Sequence, residues 1–193
     1  MVESLSAEFV GAYGGTGGLT PNLDRLARDG LKFSNAYATG TRTVRGLEAA
    51  SVGTPPIPGQ SIVRRPGNEQ LATVGEMLQR QGYASSFVYG GYGYFDNMNA
   101  YFAGNDYHVV DRVDFPISSV VFENVWGVAD ESLLANVLAV IDANHARGKP
   151  SFTHVMTTSN HRPFTYPEGR IDIRSPGGRE GGVKYTDWAI GKF

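Results

Sequence analysis

The chain has 193 residues, enough to bury a core as one domain. Hydrophobic residues make up 41% and charged residues 19%, which excludes a disordered chain, and a net charge of −2 gives no reason to expect a nucleic-acid partner. There is no cysteine, which excludes disulfides and thiolate metal sites, and no apolar run nears the roughly 20 residues a membrane-spanning helix needs.

The opening "MVESLS" (1–6) reads as the end of a buried strand whose apolar beginning is missing, and its early acid, Glu3, does not suit a signal peptide. "TPNLDRLARDG" (20–30) predicts a helix, with Thr20 at the N-cap, Pro21 at the first helical position, Leu23, Leu26 and Ala27 on one face, and Gly30 at the stop. "LKFSNAY" (31–37) looks extended, and the segment from 41 to 49 leads from it into another helix. The Pro/Gly-rich stretch 53–67 is a loop within the domain. "LATVGEMLQRQG" (71–82) is an amphipathic helix closed by glycine, and strand-like "YASSFVY" (83–89) follows.

"DESLLANVLAVIDANHARG" (130–148) is the clearest helix: Asp130 can cap it, and Leu133, Leu134, Val137, Leu138 and Ile141 form its apolar face. Lys149 and Pro150 end it, and "SFTHVMTT" (151–158) resumes as a buried strand. The Pro/Gly-rich stretch 175–182 reads as a second loop, and "KYTDWAIGKF" (184–193) as a helix cut short before its cap. These two ends together suggest a fragment of a longer protein. The alternation predicts an α/β fold, a mainly parallel sheet sandwiched by helices, with no internal repeat.

In open α/β sheets ligands bind beyond the carboxyl ends of the strands. That rule points to loops starting near Glu3, Thr39, Tyr89 and Thr158. In "YATGTRTVRGLEA" (37–49) two threonines and two arginines crowd the approach to a helix. A hydroxyl at a helix N-terminus sits beside unpaired N–H groups, and Arg42 and Arg45 suit phosphate or sulfate oxygens. A threonine hydroxyl still needs activation, and metal coordination is one route. In "YGGYGYFDNMNAYF" (89–102) aromatics stand beside Asp96, Asn97 and Asn99, which suits stacking and hydrogen bonding to a hydroxylated headgroup. Trp126 and Asp130 in "VWGVADE" (125–131) are candidates to reach the cleft, although core packing and helix capping account for them equally. His161 in "TSNHRPF" (158–164) can donate to a phosphoryl oxygen or protonate a leaving alkoxide, and Arg162 can assist. His108 and His154 lie in strand-like runs and His145 near a helix end, which suits structural roles.

"TPNLDRLARDGLKFSNAYATG" (20–40) resembles the sulfatase signature, in which a Thr-Pro-Asn-Leu-Asp helix precedes the nucleophile loop. Its continuation "TRTVRGLEA" (41–49), with "TSNHRPFTYP" (158–167), resembles the lipoteichoic acid synthase or phosphoglycerol transferase branch of the alkaline phosphatase-like superfamily. The resemblance implies a partial catalytic domain over 1–193 and a threonine nucleophile. Thr43, which stands before an acid, Glu48, as in that branch, is favoured, and Thr41, which has the sulfatase spacing to Arg45, is the runner-up, so both stay open. It also implies a divalent cation, Mn2+ or Mg2+ ahead of Ca2+ or Zn2+, held by Glu3, the threonine and a later Asp-His pair.

No Asp-His dipeptide occurs in the chain, and in the family that pair follows the region where this sequence stops. A metal held by Glu3 and Thr43 alone would be weak, and the fragment by itself is then expected to be inactive. His161 matches the family's substrate-binding histidine, whereas Tyr89 and Phe95-Asp96-Asn97 depart from its histidine and Trp/Arg pair. The implied reaction is phosphoglycerol or phosphoethanolamine-type transfer from a phospholipid headgroup, or action on an envelope glycan, through a threonyl intermediate. A sulfatase or phosphodiesterase on the same scaffold, and a non-catalytic binding module, are the alternatives. No Cys/Ser-x-Pro-x-Arg motif of the formylglycine sulfatases is present. The implied location is the outer face of the cytoplasmic membrane or the periplasm, with the parent protein membrane-anchored.

Overall fold

The computed structural model describes residues 1–193 except Thr39 and Pro56, so the expected loop start at Thr39 lies outside the described residues. In chain order its helices and strands are α1 (Pro21–Asp29), α2 (Thr43–Val52), α3 (Val74–Gln79), β1 (Ala84–Tyr89), α4 (Met98–Gly104), β2 (His108–Val110), β3 (Glu123–Asn124), β4 (Gly127–Val128), α5 (Asp130–Ala146), β5 (Ser151–Met156) and α6 (Gly178–Lys192). β1 is the centre of a parallel sheet ordered β2-β1-β5, with Ser86 opposite His108 and Thr153, and β3 and β4 form a short antiparallel ribbon.

β1 is buried along nearly its whole length, the mark of a parallel strand covered on both faces. Its alternation sorts the core into two layers. Phe87 and Tyr89 face Val44 and Leu47 of α2 and Met98, Tyr101 and Phe102 of α4, while Val88 faces Leu133 and Val137 of α5. Helices therefore sandwich the sheet, as the α/β alternation predicts. His154 of β5 joins the first layer, edge-on to Phe87 and Phe102 at ring separations of 5.7 and 5.3 Å. Burial, with a smaller push from the Met1 amino group, lowers its imidazole from 6.5 to about 4.

Met1 to Glu3 run along the free edge of β5. The Met1 amino group donates to Val155 O, and Thr157 N donates to Met1 O at 3.2 Å, the hydrogen-bond alternation of a parallel ladder. Gly75, the second residue of α3, lies against Tyr107: its N–H donates to the phenol oxygen at 2.8 Å, and a Cβ there would come within 2.2 Å of the ring.

Several expected elements differ. Residues 31–37 form no strand; Leu31, Phe33 and Tyr37 are exposed, and β2 takes the place beside β1 instead. The helix expected over 71–82 is only Val74–Gln79, because Leu71 N–H is drawn to Asn105 Oδ1 and Thr73 caps the helix by accepting from Glu76 N–H. The stretch 175–182 is partly helical, since α6 begins at Gly178.

Thr20 does not cap α1; its hydroxyl donates to Asp24, and the buried Asp187 of α6 accepts from Asn22 and Leu23 N–H instead. That docking leaves no α1 residue buried, so Leu26 is half exposed; Leu138 likewise lies outside the α5 core face. Asp130 is not the cap of α5 but its first residue, and it is wholly buried. Among the described residues no helix is long and apolar enough to cross a membrane.

Candidate active site

The carboxyl ends of β1 and β5, the N-terminus of α2 and the opening segment converge on one cleft of about 330 Å³. Its wall includes Glu3, Thr41, Arg42, Thr43, Asp96, Trp126 and His161, seven residues singled out from sequence. Five others, Arg45, Asn97, Asn99, Asp130 and Arg162, lie off that wall, Asn99 because it donates to Asp111 Oδ2 at 2.6 Å. Arg45 turns back along α2 to pair with the buried Glu48 at 2.9 Å and with Gly59 O. Asn97 donates to Val63 O at 2.8 Å, and the exposed Arg162 offers its carbonyl, not its guanidinium, to the site.

Glu3 is fixed by its backbone. Its N–H donates to Thr157 Oγ1 at 3.0 Å, and its carbonyl accepts from Asn160 Nδ2 at 2.9 Å. Its carboxylate then accepts one hydroxyl on each oxygen, Ser4 at 2.9 Å and Thr43 at 3.2 Å. Thr43 is the first residue of α2, so its hydroxyl also lies at the positive end of the helix. Thr41, two residues outside the helix, opens to the same cleft but makes no hydrogen bond to Glu3 among the described residues.

The loop that carries His161 is anchored from below. Asp130 accepts from Thr158 N–H at 2.9 Å, Ser159 N–H at 3.0 Å and the Thr186 hydroxyl at 2.7 Å. Burial pushes its carboxyl upward, against the pull of those donors. Asp130 thus supports the site without reaching the cleft. His161 lies against Trp126 at a ring separation of 3.9 Å, and its Nδ1 faces Arg162 O at 2.9 Å. If Nδ1 carries the proton, Nε2 is left as the reactive nitrogen.

On the β1 side, Tyr89 lines the cleft, its phenol pushed up to about 12 by burial and by the charges of Glu3 and Asp96. Asp96 and Asn97 both adopt left-handed backbone, φ 54° and 63°. Tyr89 was marked from sequence as the start of a strand-end loop and as a departure from the family pattern, and Ser4 was missed although it adjoins Glu3. Arg64, whose guanidinium is 3.4 Å from the Asp96 carboxylate, gave no signal, because that contact is purely tertiary.

The sulfatase family model matches residues 1–193, the whole chain. The chain belongs to the sulfatase family. It is similar to an alkaline phosphatase superfamily protein from Vibrio parahaemolyticus, with 41% identity, a TM-score of 0.92, and 100% of this chain and 48% of that one covered. The lipoteichoic acid synthase LtaP from Listeria monocytogenes shares the fold, with a TM-score of 0.77 at 18% identity over 90% of this chain and 45% of that one.

Among curated sulfatase-family relatives, the phosphoglycerol transferase I of Xanthomonas campestris is 25% identical over 76% of this chain and 22% of its own. The N-acetylgalactosamine-6-O-sulfatase of Bacteroides thetaiotaomicron is 34% identical over 45% of this chain and 18% of its own. The chain therefore spans about a fifth of those curated relatives and under half of the two solved structures. These are enzymes, and the fold is that of the alkaline phosphatase-like superfamily.

The donor set fits a hard divalent cation in part. The Glu3 carboxylate and the Thr43 hydroxyl lie 3.2 Å apart and are both hard oxygen donors, but no group of three or more His, Cys, Asp or Glu ligands occurs among the described residues.

Proposed function

We propose that this chain is the nucleophile-bearing part of a divalent-metal-dependent catalytic domain that transfers a phosphoryl group from a phosphodiester headgroup through a Thr43 ester. The observation that carries the reading is the Thr43 hydroxyl at the N-terminus of α2, hydrogen-bonded to Glu3 in the cleft that His161 also lines. It favours Thr43 over Thr41.

Glu3 and Thr43 would hold the cation, Mn2+ or Mg2+, with an Asp-His pair downstream of residue 193 completing the site. Bound there, the ion would lower the hydroxyl pKa and offset charge on the transferred group. Thr43 Oγ, its proton lost to water, attacks phosphorus, and the P–O bond to the departing alcohol breaks. His161, protonated, gives that alcohol its proton. A second alcohol, or water, then attacks the phosphothreonine, returns a proton to His161 and frees Thr43, which is reprotonated by water. The N-terminus of α2 and Arg42, which lines the cleft, would offset the developing charge. A phospholipid headgroup or an envelope glycan is the substrate class, and a membrane-anchored parent acting outside the cytoplasmic membrane or in the periplasm fits it.

The 34% identity to a sulfatase over 92 residues favours sulfate-ester hydrolysis as the second reading. The test compares Thr43→Ala with Thr41→Ala in the chain extended through the downstream Asp-His pair, with Mn2+ or Mg2+ added. Alcohol release from phosphodiester and sulfate-ester substrates is followed alongside intact mass for a covalent adduct. Thr43→Ala alone should abolish phosphodiester turnover and the adduct. Turnover that survives Thr43→Ala, or an adduct on Thr41, rejects the reading. Failure of the extended wild type to bind either metal favours a non-catalytic module.

A further inference from the structure

The β3–β4 ribbon sits directly on the end of β1. Val128 N–H donates to Gly90 O at 2.9 Å, and a Cβ on Gly91 would come within 2.3 Å of Trp126 O. Strands of two residues each hold no shape of their own in water, so the ribbon's tethers decide where its turn stands. Two of them run to the His161 loop. Asn124 Oδ1 accepts from Trp126 N–H at 2.8 Å, while its Nδ2 donates to Thr165 Oγ1 at 2.9 Å. The second tether is the Trp126 indole, whose Nε1–H donates to Arg162 O.

Arg162 O is also the atom that His161 Nδ1 faces at 2.9 Å. A carbonyl oxygen has two lone pairs and no proton, so it serves the indole and the imidazole together only when Nδ1 carries the hydrogen. That tautomer leaves Nε2 as the nitrogen that exchanges protons with a substrate. The indole lies against the imidazole as well, with 3.9 Å between ring centres, and Phe95 meets the same indole edge-on at 6.1 Å. Trp126 therefore acts on His161 twice, once through the shared carbonyl and once ring to ring.

We propose that Trp126 is a positioning residue for His161, fixing the tautomer and the ring orientation in which Nε2 works, and not a platform on which substrate stacks. The proton transfers rest on the phosphodiester reading above: Nε2–H gives its proton to the departing alcohol, and Nε2 then takes one from the attacking alcohol or water. The tautomer is a property of the chain alone. An imidazole free to turn would present Nδ1 or a ring carbon to the reacting oxygen for part of the time, and only the correctly turned fraction would react.

Nitrogen NMR of 15N-histidine in the chain extended through the downstream Asp-His pair reports which ring nitrogen bears the proton, in mildly alkaline solution where imidazoles are neutral. The His161 signals are identified by their loss in His161→Gln. The wild type should carry the proton on Nδ1 alone. Trp126→Ala should show both tautomers, and Trp126→Phe, which keeps a ring but loses the Nε1–H, should fall between. In phosphodiester turnover Trp126→Ala should lower kcat about tenfold and Trp126→Phe about threefold, with KM changed less than about twofold. The wild-type tautomer persisting in both variants overturns the proposal, and so does a loss carried by KM, the mark of a stacking contact with substrate. Should Trp126→Ala misfold, Trp126→Phe decides it. A wild type without phosphodiester turnover sinks the threonyl reading, while the tautomer still decides this one.

Discussion

His154 makes the stability of this fold pH-dependent in a direction that can be worked out. Its imidazole titrates near 4 in the folded chain and near 6.5 in the unfolded one. Above pH 6.5 the ring is neutral in both states and the fold carries no penalty. As pH falls from 6.5 toward 4 the unfolded chain binds a proton that the folded chain refuses, and stability is lost. The linkage integral gives about 2 kcal/mol at pH 5 and about 3 kcal/mol at pH 4. The side chain packs edge-on against Phe87 and Phe102, so His154→Leu should keep the layer filled while removing the titration. Urea unfolding of both proteins at half-unit intervals from pH 7.5 to 4.5 isolates the difference, since carboxylates and the other histidines titrate in both. The wild type should lose about 2 kcal/mol more than the variant between pH 7.5 and 5. Parallel curves would refute the assignment of a neutral, buried imidazole.

Removing the Asp130 carboxylate leaves Thr158 N–H, Ser159 N–H and the Thr186 hydroxyl buried without their acceptor, so Asp130→Ala should cost about 3 kcal/mol or more in urea unfolding. A loss below about 1 kcal/mol would deny it that anchoring role. Gly75→Ala places a Cβ against the Tyr107 ring and should cost about 1–3 kcal/mol, most of it recovered in a Tyr107→Leu background; additive costs would show that the two do not meet. Glu3→Gln should weaken Mn2+ or Mg2+ binding by the extended chain at least tenfold, about 1.4 kcal/mol, in calorimetric titration. Unchanged affinity would remove Glu3 from the cation site.

The parts of the fold that periodicity made readable are those whose burial is decided locally. β1, β5 and α5 carry continuous apolar runs or faces and form close to where the sequence places them. The apolar alternation of Leu31, Phe33 and Tyr37 is just as strand-like, yet a strand needs a neighbour, and β1 takes His108–Val110 instead. Asp130 read as a helix cap or a cleft residue, and Asp187 gave no signal; each is buried because backbone N–H groups from distant segments converge on it. In the cleft, the strand-end rule located Glu3, Tyr89 and His161, and the motif resemblance located Thr43. The direction of a long side chain was not readable: Arg45 has the spacing of an anion ligand, but Glu48, one turn along, captures it.

The tether from Asn160 to the Glu3 carbonyl means that the opening segment and the imidazole loop ride on one mount, itself bolted to α5 by Asp130. The Asp96 loop hangs from a separate support, through Val63. Sequence drift in that loop can therefore proceed without disturbing the register between Glu3 and His161. A scaffold divided in this way leaves one wall of its cleft free to vary while the other keeps its alignment.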